Sequence, residues 1–439
     1  MHVSCCSPDR LPKIMSLSML SQEIIDEIVD ILQDIDSDSD SDSDDNSESF
    51  QFSSYALISK NFRPRTQQIS FAYVIFRFSK NDSSSITKLR DQRNMLERNP
   101  KIAGYLRTLV FFVKKANIWT FDHPDFIRMM ELIAKASKGR THPQLDIEFD
   151  SARIRPRIPD HSAQRVLEVI GPHVRNLDIH GIDNVPFRWI ADCSNLVKLD
   201  MVRISLAKND PETTPSLLPR LHVLILSWPA NYTVAIDSLT KFALDPSCLR
   251  KFQTEFEDEL CIAGVGPVIK ACRSSLEHLK ISCNEGRLRI ANLANLSEIP
   301  NLKILSFKID LSWEDHDDAL EDLCALLNTS SNDNKIEEIT LELHVVANRR
   351  PGVGALGRVA EYNWRMVDST MVRLSNNKKL KIDIQIYYFY EPESDLDENE
   401  LNDINEGDPN DQLEGWMAEQ LPLASRRSHI VLHAKFHRV

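Results

Sequence analysis

The glycine-rich segment at residues 352–357 is the pattern closest to a cofactor site. Gly352, Gly354 and Gly357 follow the G-x-G-x-x-G spacing of dinucleotide-binding turns. Residues 347–351 separate the preceding predicted strand from these glycines, whereas a dinucleotide site needs a tight turn that places the pyrophosphate at a helix N-terminus. We therefore predict a loop and no cofactor, with a dinucleotide-binding enzyme using residues 352–357 as a remote alternative.

An acidic serine-containing segment carries two weaker chemical signals. Asp38, Asp40 and Asp42 resemble the start of a calcium loop, but the glycine of its sharp turn and its distal glutamate are both missing. We predict a solvated spacer and no metal. The serines of the segment each have an acid three residues later, which predicts possible phosphorylation that would add negative charge at Ser37, Ser39 and Ser41.

Three histidines near the C-terminus recur at every fourth position, as His429, His433 and His437. Such spacing places them on one side of either a helix or a strand. Basic residues surround them, and no second shell is defined, so a basic tail against an acidic surface is preferred to a metal site. Because no G-x-S-x-G, Walker or H-E-x-x-H motif occurs, we predict that the protein is not an enzyme, although a site built from distant residues stays open.

Bulk composition narrows the class of protein and its partners. The formal net charge of −13 argues against nucleic acid as the main partner. No run of 18 apolar residues occurs and the N-terminal segment lacks a continuous apolar core, so we expect neither a membrane span nor a secretory signal. The eight cysteines form no C-x-x-C pair. We therefore expect free thiols and a cytoplasmic or nuclear location.

A recurrent apolar spacing, Leu-x-x-Leu-x-Leu or a close variant, dominates the middle of the chain. It begins at residues 174, 196, 221, 276, 302 and 336, with a weaker copy at 249 and an earlier one at 106. Short helical patterns fill the intervals, including residues 163–170, 236–244, 265–272 and 319–327. One strand and one helix in each interval indicate a leucine-rich-repeat solenoid. The alternative is an ordinary α/β domain with a parallel sheet.

Four segments in the first quarter of the chain form an ordered series. They are the amphipathic helix of residues 20–32, the segment A-L-I-S-K-N-F-R-P-R at residues 56–65, and the blocks at 68–71 and 99–109. In this order they resemble the F-box proteins of fungi. Leu20-Ser21 replaces the usual Leu-Pro, and the acidic segment interrupts the F-box between its first two helices. The fold class expected from resemblance and repeats together is α/β, with an N-terminal all-helical F-box followed by an irregular leucine-rich-repeat solenoid.

The resemblance implies a substrate-recognition adaptor of an SCF-type ubiquitin ligase. Its F-box would bind the Skp subunit through Leu20, Glu23, Ile24, Ile25, Ile28, Leu32, Leu57 and Phe62. The repeats would bind an unidentified protein substrate through side chains that alternate with the buried positions, namely Asp178, His180, Asp200, Gln253, Glu255, Lys280, Ser282, Ser306, Lys308, Thr340 and Glu342. The alternatives are a repeat scaffold without a ligase role, or a helix that merely caps the repeats.

These expectations divide the chain into six parts. They are a flexible N-terminus at 1–16, an F-box at 17–65 with the acidic insert at 34–49, a connecting α/β region at 66–162, a solenoid at 163–390, an acidic disordered linker at 391–414 and a basic tail at 415–439.

Overall fold

The chain is described by a computed structural model. The residues that it describes are 63–77, 83–138, 145–151, 155–157, 163–207, 219–228, 245–256, 262–283, 290, 293–311, 319–347, 359, 362–390 and 409–438.

A single sheet of twelve parallel strands organises these residues. The strands lie side by side in the order of the sequence, from β1 to β12. Their bounds are β1 Tyr73–Phe76, β2 Thr108–Phe112, β3 Leu145–Asp150, β4 Val174–His180, β5 Lys198–Val202, β6 Val223–Ser227, β7 Lys251–Phe256, β8 His278–Cys283, β9 Ile304–Leu311, β10 Glu338–Ala347, β11 Leu380–Tyr390 and β12 Ile430–Arg438.

Helices occupy many of the connections, as parallel strands require. The α-helices are α1 Arg63–Ser70, α2 Ser83–Arg98, α3 Pro100–Tyr105, α4 Pro124–Ser137, α5 Gln164–Ile170, α6 Phe187–Ala191, α7 Ile262–Cys272, α8 Ala319–Asn328, α9 Trp364–Ser375, α10 Pro409–Gln420 and α11 Pro422–Ser425. Short 3-10 helices lie at Lys115–Asp122, Gly171–His173, Pro246–Cys248 and Leu296–Glu298.

The strands bury one face against the helices. In β3 the buried Leu145, Ile147 and Phe149 alternate with three half-buried acids, so the two sets point to opposite faces. Most buried apolar residues of the strands and helices belong to one hydrophobic cluster. Phe111 of β2, for example, lies 5.7 Å from Phe126 of α4 between ring centroids. We call the opposite side of the sheet the polar face.

The predicted fold class, an all-helical F-box followed by a leucine-rich-repeat solenoid, is wrong. The described residues form a twelve-stranded all-parallel sheet with flanking helices. The recurrent spacing does mark strands, since the apolar positions of the motifs are buried, as Val174, Leu177 and Ile179 show for β4. Strand–helix alternation is equally typical of an α/β domain with a parallel sheet, and that alternative interpretation describes the structure.

Both ends of the described part of the chain contain regular structure. Pro64 lies within α1, which spans Arg63–Ser70. At the other end, residues 409–438 contain α10, α11 and the long strand β12, in the region predicted as an acidic linker up to residue 414 and a basic tail from residue 415.

Candidate binding site on the polar face

Strands β3, β4 and β5 bring a cluster of acids together on the polar face. In register, Glu148 pairs with Asp178 and Asp178 with Asp200, so three carboxylates follow one row across three strands. Neighbouring strands lie about 4.8 Å apart. Two further carboxylates occupy the rows on either side, and we call all five the acidic cluster: Asp146, Glu148, Asp150, Asp178 and Asp200.

Lys198 of β5 is the single cation among the polar-face positions paired in register on these three strands, all of which the structure describes. Its ammonium lies 3.0 Å from Oδ1 of Asp178 and 3.2 Å from Oδ2 of Asp200. Asn176 donates from its side-chain amide to Oδ1 of Asp146 at 2.7 Å. Lys198 therefore serves Asp178 and Asp200, and Asn176 serves Asp146.

The electrostatic cost of this arrangement appears in the pKa values of three acids. Burial raises the pKa of Asp200 above its usual range; Lys198 partly offsets this and the charge of Asp178 adds to it. Burial likewise raises the pKa of Glu148, with the charges of Asp150 and Asp178 adding to the effect. Burial also raises the pKa of Asp146. The charges of His180 at Glu148 and Asp200 and of Arg175 at Asp146 act in the opposite direction, but burial outweighs them.

Two polar atoms at the cluster are buried without a hydrogen-bond partner: Oδ1 of Asp200 and Nε2 of His180. Buried polar atoms normally have a partner, and leaving one without costs about 1–3 kcal/mol. The unpartnered oxygen of Asp200 adds to the cost of holding a negative charge at this place. His180 pairs in register with Asp150 and lies beside the same row of acids.

The centre of the polar face is compensated internally. Lys280 of β8 lies 2.7 Å from Oε1 of Glu342 on β10, and Lys308 of β9 lies 3.3 Å from Oε1 of Glu255 on β7. Each pair reaches over the strand between its partners, so the two pairs interlock across β7 to β10. These charges satisfy one another, which distinguishes them from the acidic cluster.

The end of the polar face at β10 to β12 carries a cross-strand ring stack. The Tyr387 ring lies 4.5 Å from His437 and 4.9 Å from His344, and Phe389 lies 5.1 Å from His344. Burial lowers the pKa of His344 to about 4, and the charge of Lys308 contributes to the shift. His344 is therefore neutral near pH 7. Because the rings face each other, their faces are largely occupied within the stack.

Neither a metal-ligand group nor a reactive buried thiol is found in the described parts of the chain. Those residues contain no group of three or more His, Cys, Asp or Glu side chains that could hold a metal ion. Cys193 and Cys272 are buried free thiols. Burial raises the pKa of both, that of Cys272 to about 12, so neither is a thiolate near neutral pH.

The residues predicted to bind substrate all lie on the polar face of β4, β5 and β7 to β10. Ser282 is buried, and the other ten are half-buried. The structure brings Asp178, His180 and Asp200 together in the acidic cluster, and it brings the Lys280–Glu342 and Lys308–Glu255 pairs together in the centre.

The other predicted sites are placed differently. The residues predicted to bind Skp, the three possible phosphorylation sites, the calcium-like segment and the glycine-rich segment all lie outside the described residues. His429 contacts Oγ of Ser375 through Nε2 at 3.2 Å, His433 is exposed, and His437 stacks on Tyr387. The three histidines therefore have separate surroundings.

Four members of the site were missed by sequence reasoning: Asp146, Glu148, Asp150 and Lys198. The signal was present in L-D-I-E-F-D at residues 145–150, because strict alternation predicts a strand with three acids on one face. The segment lies outside the main array of motifs. Its alignment beside Asp178 follows from the register of the sheet rather than from spacing in the sequence.

Comparison with known proteins identifies no family. No protein-family model and no curated protein matches the chain. Among solved structures, the exo-beta-1,4-mannosidase Op5Man5 from Opitutaceae bacterium strain TAV5 is similar over 73% of this chain and 77% of that chain, with 9% identity and a TM-score of 0.19. A likeness at that level supports no statement about fold or chemistry. Within the described residues, no helix is long and apolar enough to cross a membrane.

The function predicted at the sequence level is wrong together with its fold. The ubiquitin-ligase adaptor depended on a helical F-box followed by a repeat solenoid, and the scaffold depended on the solenoid alone. The described residues form a different architecture. The resemblance of residues 17–65 to F-box proteins stays a prediction, because the structure describes only residues 63–65 of that segment.

Proposed function

We propose that the protein is a non-catalytic binding protein whose acidic cluster takes a polycationic ligand that carries amine or guanidinium groups. The observation that supports this is the row Glu148–Asp178–Asp200 on β3 to β5, where Lys198 is the single lysine or arginine among the paired polar-face positions. A ligand that brings positive charge relieves the repulsion that the fold itself leaves in place.

The energetic argument follows from distance and dielectric. Two opposite unit charges 4 Å apart near a protein surface attract by about 4 kcal/mol. Desolvation of the ligand and loss of its freedom reduce that gain. The raised pKa values of Glu148 and Asp200 show that these carboxylates are partly desolvated already. Folding has therefore already removed part of the water around these carboxylates, so less of it has to be removed when a cation binds.

The geometry favours a ligand with more than one positive group. The row Glu148–Asp178–Asp200 spans two strand spacings, about 10 Å, and Lys198 neutralises the end near Asp200 more than the end near Glu148. Amine groups separated by a short aliphatic spacer could contact both ends together. Negative potential over the row also attracts such a ligand from a distance and raises its association rate.

A thermal-unfolding panel tests this proposal. A linear tetra-amine, hexalysine and hexaglutamate are each added to the wild-type protein and to the double variant Glu148→Gln, Asp200→Asn. The first two should raise the melting temperature of the wild type at low salt, because a ligand that binds only the folded state stabilises it. Hexaglutamate should not, and salt should weaken the effect by screening.

The double variant should lose most of the stabilisation. A matched control replaces two exposed carboxylates on helices, Glu97→Gln and Glu131→Gln, and should respond like the wild type. No stabilisation of the wild type by either polycation, or equal stabilisation of all three proteins, would contradict the proposal.

A further inference from the structure

Strand β1, at the edge of the described sheet, exposes two large apolar side chains two strands away from the acidic cluster. Tyr73 is 52% exposed and Ile75 is 36% exposed. The described residues contain four exposed large hydrophobic side chains, and these two lie next to each other on the same face of one strand, whereas Met95 and Leu423 are isolated on or beside helices. Singly exposed apolar residues need no explanation, but an adjacent pair next to a charged site does.

The register of the sheet fixes how the apolar pair and the acids are related. Ile75 pairs with Val110 on β2, and Val110 pairs with Glu148 on β3. Ile75 therefore begins the row that continues through Glu148 to Asp178 and Asp200. Two strand spacings separate Ile75 from Glu148, which is about 10 Å. Val110 between them is 1% exposed and adds no surface of its own. Burial raises the pKa of Tyr73 and the charge of Glu148 adds to the effect, so the apolar pair and the acidic row lie close to each other over Val110.

We propose that this surface docks a basic polypeptide segment, with one apolar side chain on Tyr73 and Ile75 and a lysine or arginine on Glu148, Asp178 and Asp200. This inference rests on the proposed function and extends the site by two strands. A free polyamine would use the carboxylates but has no side chain for the apolar pair. A basic polypeptide offers both, with the two groups about three residues apart in an extended chain.

Charge complementarity separates this occupant from other macromolecules. Nucleic acid and an anionic lipid surface both carry negative charge, which the acidic cluster repels. A second copy of the chain that met this surface by a twofold axis would place one acidic cluster close to another. Arg77 stacks on the Phe112 ring at 4.6 Å and adds positive charge at one side of the patch, so the cationic residue of the ligand is directed towards Glu148 rather than towards β1.

Fluorescence anisotropy with two labelled nonapeptides tests the docking. Both peptides contain three lysines; one also has a leucine three residues before the central lysine, and the other has serine in its place. Burying a leucine contributes enough to predict about tenfold tighter binding of the leucine peptide to the wild-type protein. The variant Tyr73→Ser, Ile75→Ser should bind both peptides with the affinity of the serine peptide.

Two controls keep the outcomes distinct. Leu423→Ser removes an equally exposed apolar side chain elsewhere and should leave the tenfold preference intact. Equal binding of both peptides to the wild type, with binding lost in Glu148→Gln, Asp200→Asn, would overturn the docking inference and leave the proposed function standing. If neither peptide nor the tetra-amine binds, or if binding survives in that acidic-cluster variant, both are overturned.

Discussion

The ammonium of Lys198 lies 3.0 Å from the carboxylate of Asp178 across the neighbouring strands β5 and β4. Burial alone would lower the pKa of Lys198, but its hydrogen bond to Asp178 and the charges of Asp178 and Asp200 raise it above the usual value. Lys198 therefore remains charged and partly neutralises a row of acids that would otherwise repel one another. Loss of this contact should therefore change both the stability of the protein and the affinity of the acidic cluster for a cation.

Replacing Lys198 by methionine should lower stability and raise affinity for a polycation. The side chain is 30% exposed, so the lost ion pair should cost about 1 kcal/mol of unfolding free energy. Affinity for hexalysine should rise several-fold, because the competing ammonium is gone. Denaturant unfolding and calorimetry measure the two effects.

Lys303→Met is the matched control, since Lys303 lies 2.8 Å from Glu277 outside the acidic cluster. It should leave the affinity for hexalysine unchanged. Weaker binding of hexalysine by Lys198→Met would contradict the role assigned to the cluster.

Stability should depend on pH with a sign set by the raised pKa of Asp200. Burial raises that pKa above 3.8, the value expected for the unfolded chain. Between the two pKa values, Asp200 is protonated in the folded protein and ionised in the unfolded chain. The stability linked to this proton is fully present below pH 3.8 and is lost as the pH rises through the pKa of the folded protein. Asp200→Asn should therefore be more stable than the wild type at pH 7, by roughly 0.5–1 kcal/mol, and the gain should vanish towards pH 4.

Asp245 provides a control of opposite sign for this experiment. A hydrogen bond from the Ser247 side chain, followed by one from its backbone N–H, lowers the pKa of Asp245. Ionised Asp245 therefore stabilises the folded protein above pH 3.8, the pKa expected for the unfolded chain. This stabilisation is lost as the pH falls through the lowered pKa of the folded protein. Asp245→Asn should thus be less stable than the wild type at pH 7. Urea unfolding at pH 4 and pH 7 distinguishes the two signs.

A buried carboxylate ties the C-terminal helices to the rest of the sheet. Asp368 on α9 is 2% exposed and accepts hydrogen bonds from the backbone N–H groups of Leu423 and Ala424, each at 2.8 Å. Hydrogen bonds to a charged group contribute about 1.5–3 kcal/mol, so Asp368→Asn should destabilise the protein by a similar amount. Exposed Asp91 on α2 is the control, because Asp91→Asn should have little effect.

Hydrogen exchange gives the local readout for Asp368. The amides of residues 423 and 424 should exchange faster in Asp368→Asn than in the wild type, while amides in β4 and β5 should change much less. Unchanged protection at 423 and 424 would show that the two contacts do not hold α11 in place.

Gly171 is required by a close approach of backbone rather than by an unusual φ angle. A Cβ atom there would lie 2.8 Å from the carbonyl oxygen of Asp192. Gly171→Ala should therefore destabilise the protein by about 1–3 kcal/mol. Gly415 on α10 has open space around it, and Gly415→Ala should instead stabilise the protein by about 0.5–1 kcal/mol. Thermal unfolding of both variants tests the contrast, and a Gly171→Ala protein as stable as the wild type would contradict it.

Local structure was more predictable than architecture. Helices expected over residues 163–170, 265–272 and 319–327 correspond to Gln164–Ile170, Ile262–Cys272 and Ala319–Asn328, because their apolar periodicity is strong. The alternating apolar positions of the strands were read correctly for the same reason, as the burial of Leu199 and Met201 shows. Neither pattern reports how many strands share one sheet.

Only some of the site residues could be predicted from the sequence, because the others depend on which strands pair. Asp178, His180 and Asp200 lie in the recurrent motif, so their outward direction followed from alternation alone. Glu148 lies outside that motif, and its place beside Asp178 depends on the pairing of β3 with β4 across 30 residues of chain. Pairing between distant strands is a tertiary property, which local spacing does not encode. The exposure of Tyr73 and Ile75 likewise depends on β1 lying at the edge of the described sheet.

Calorimetric titration of hexalysine tests the central claim most directly. It compares the wild-type protein with the triple variant Glu148→Gln, Asp178→Asn, Asp200→Asn, at two salt concentrations and neutral pH. The acidic cluster as a cation-binding site predicts saturable binding to the wild type that weakens with salt, and a loss of at least tenfold in affinity, about 1.4 kcal/mol, in the triple variant. A folded triple variant that binds hexalysine as tightly as the wild type would contradict the claim.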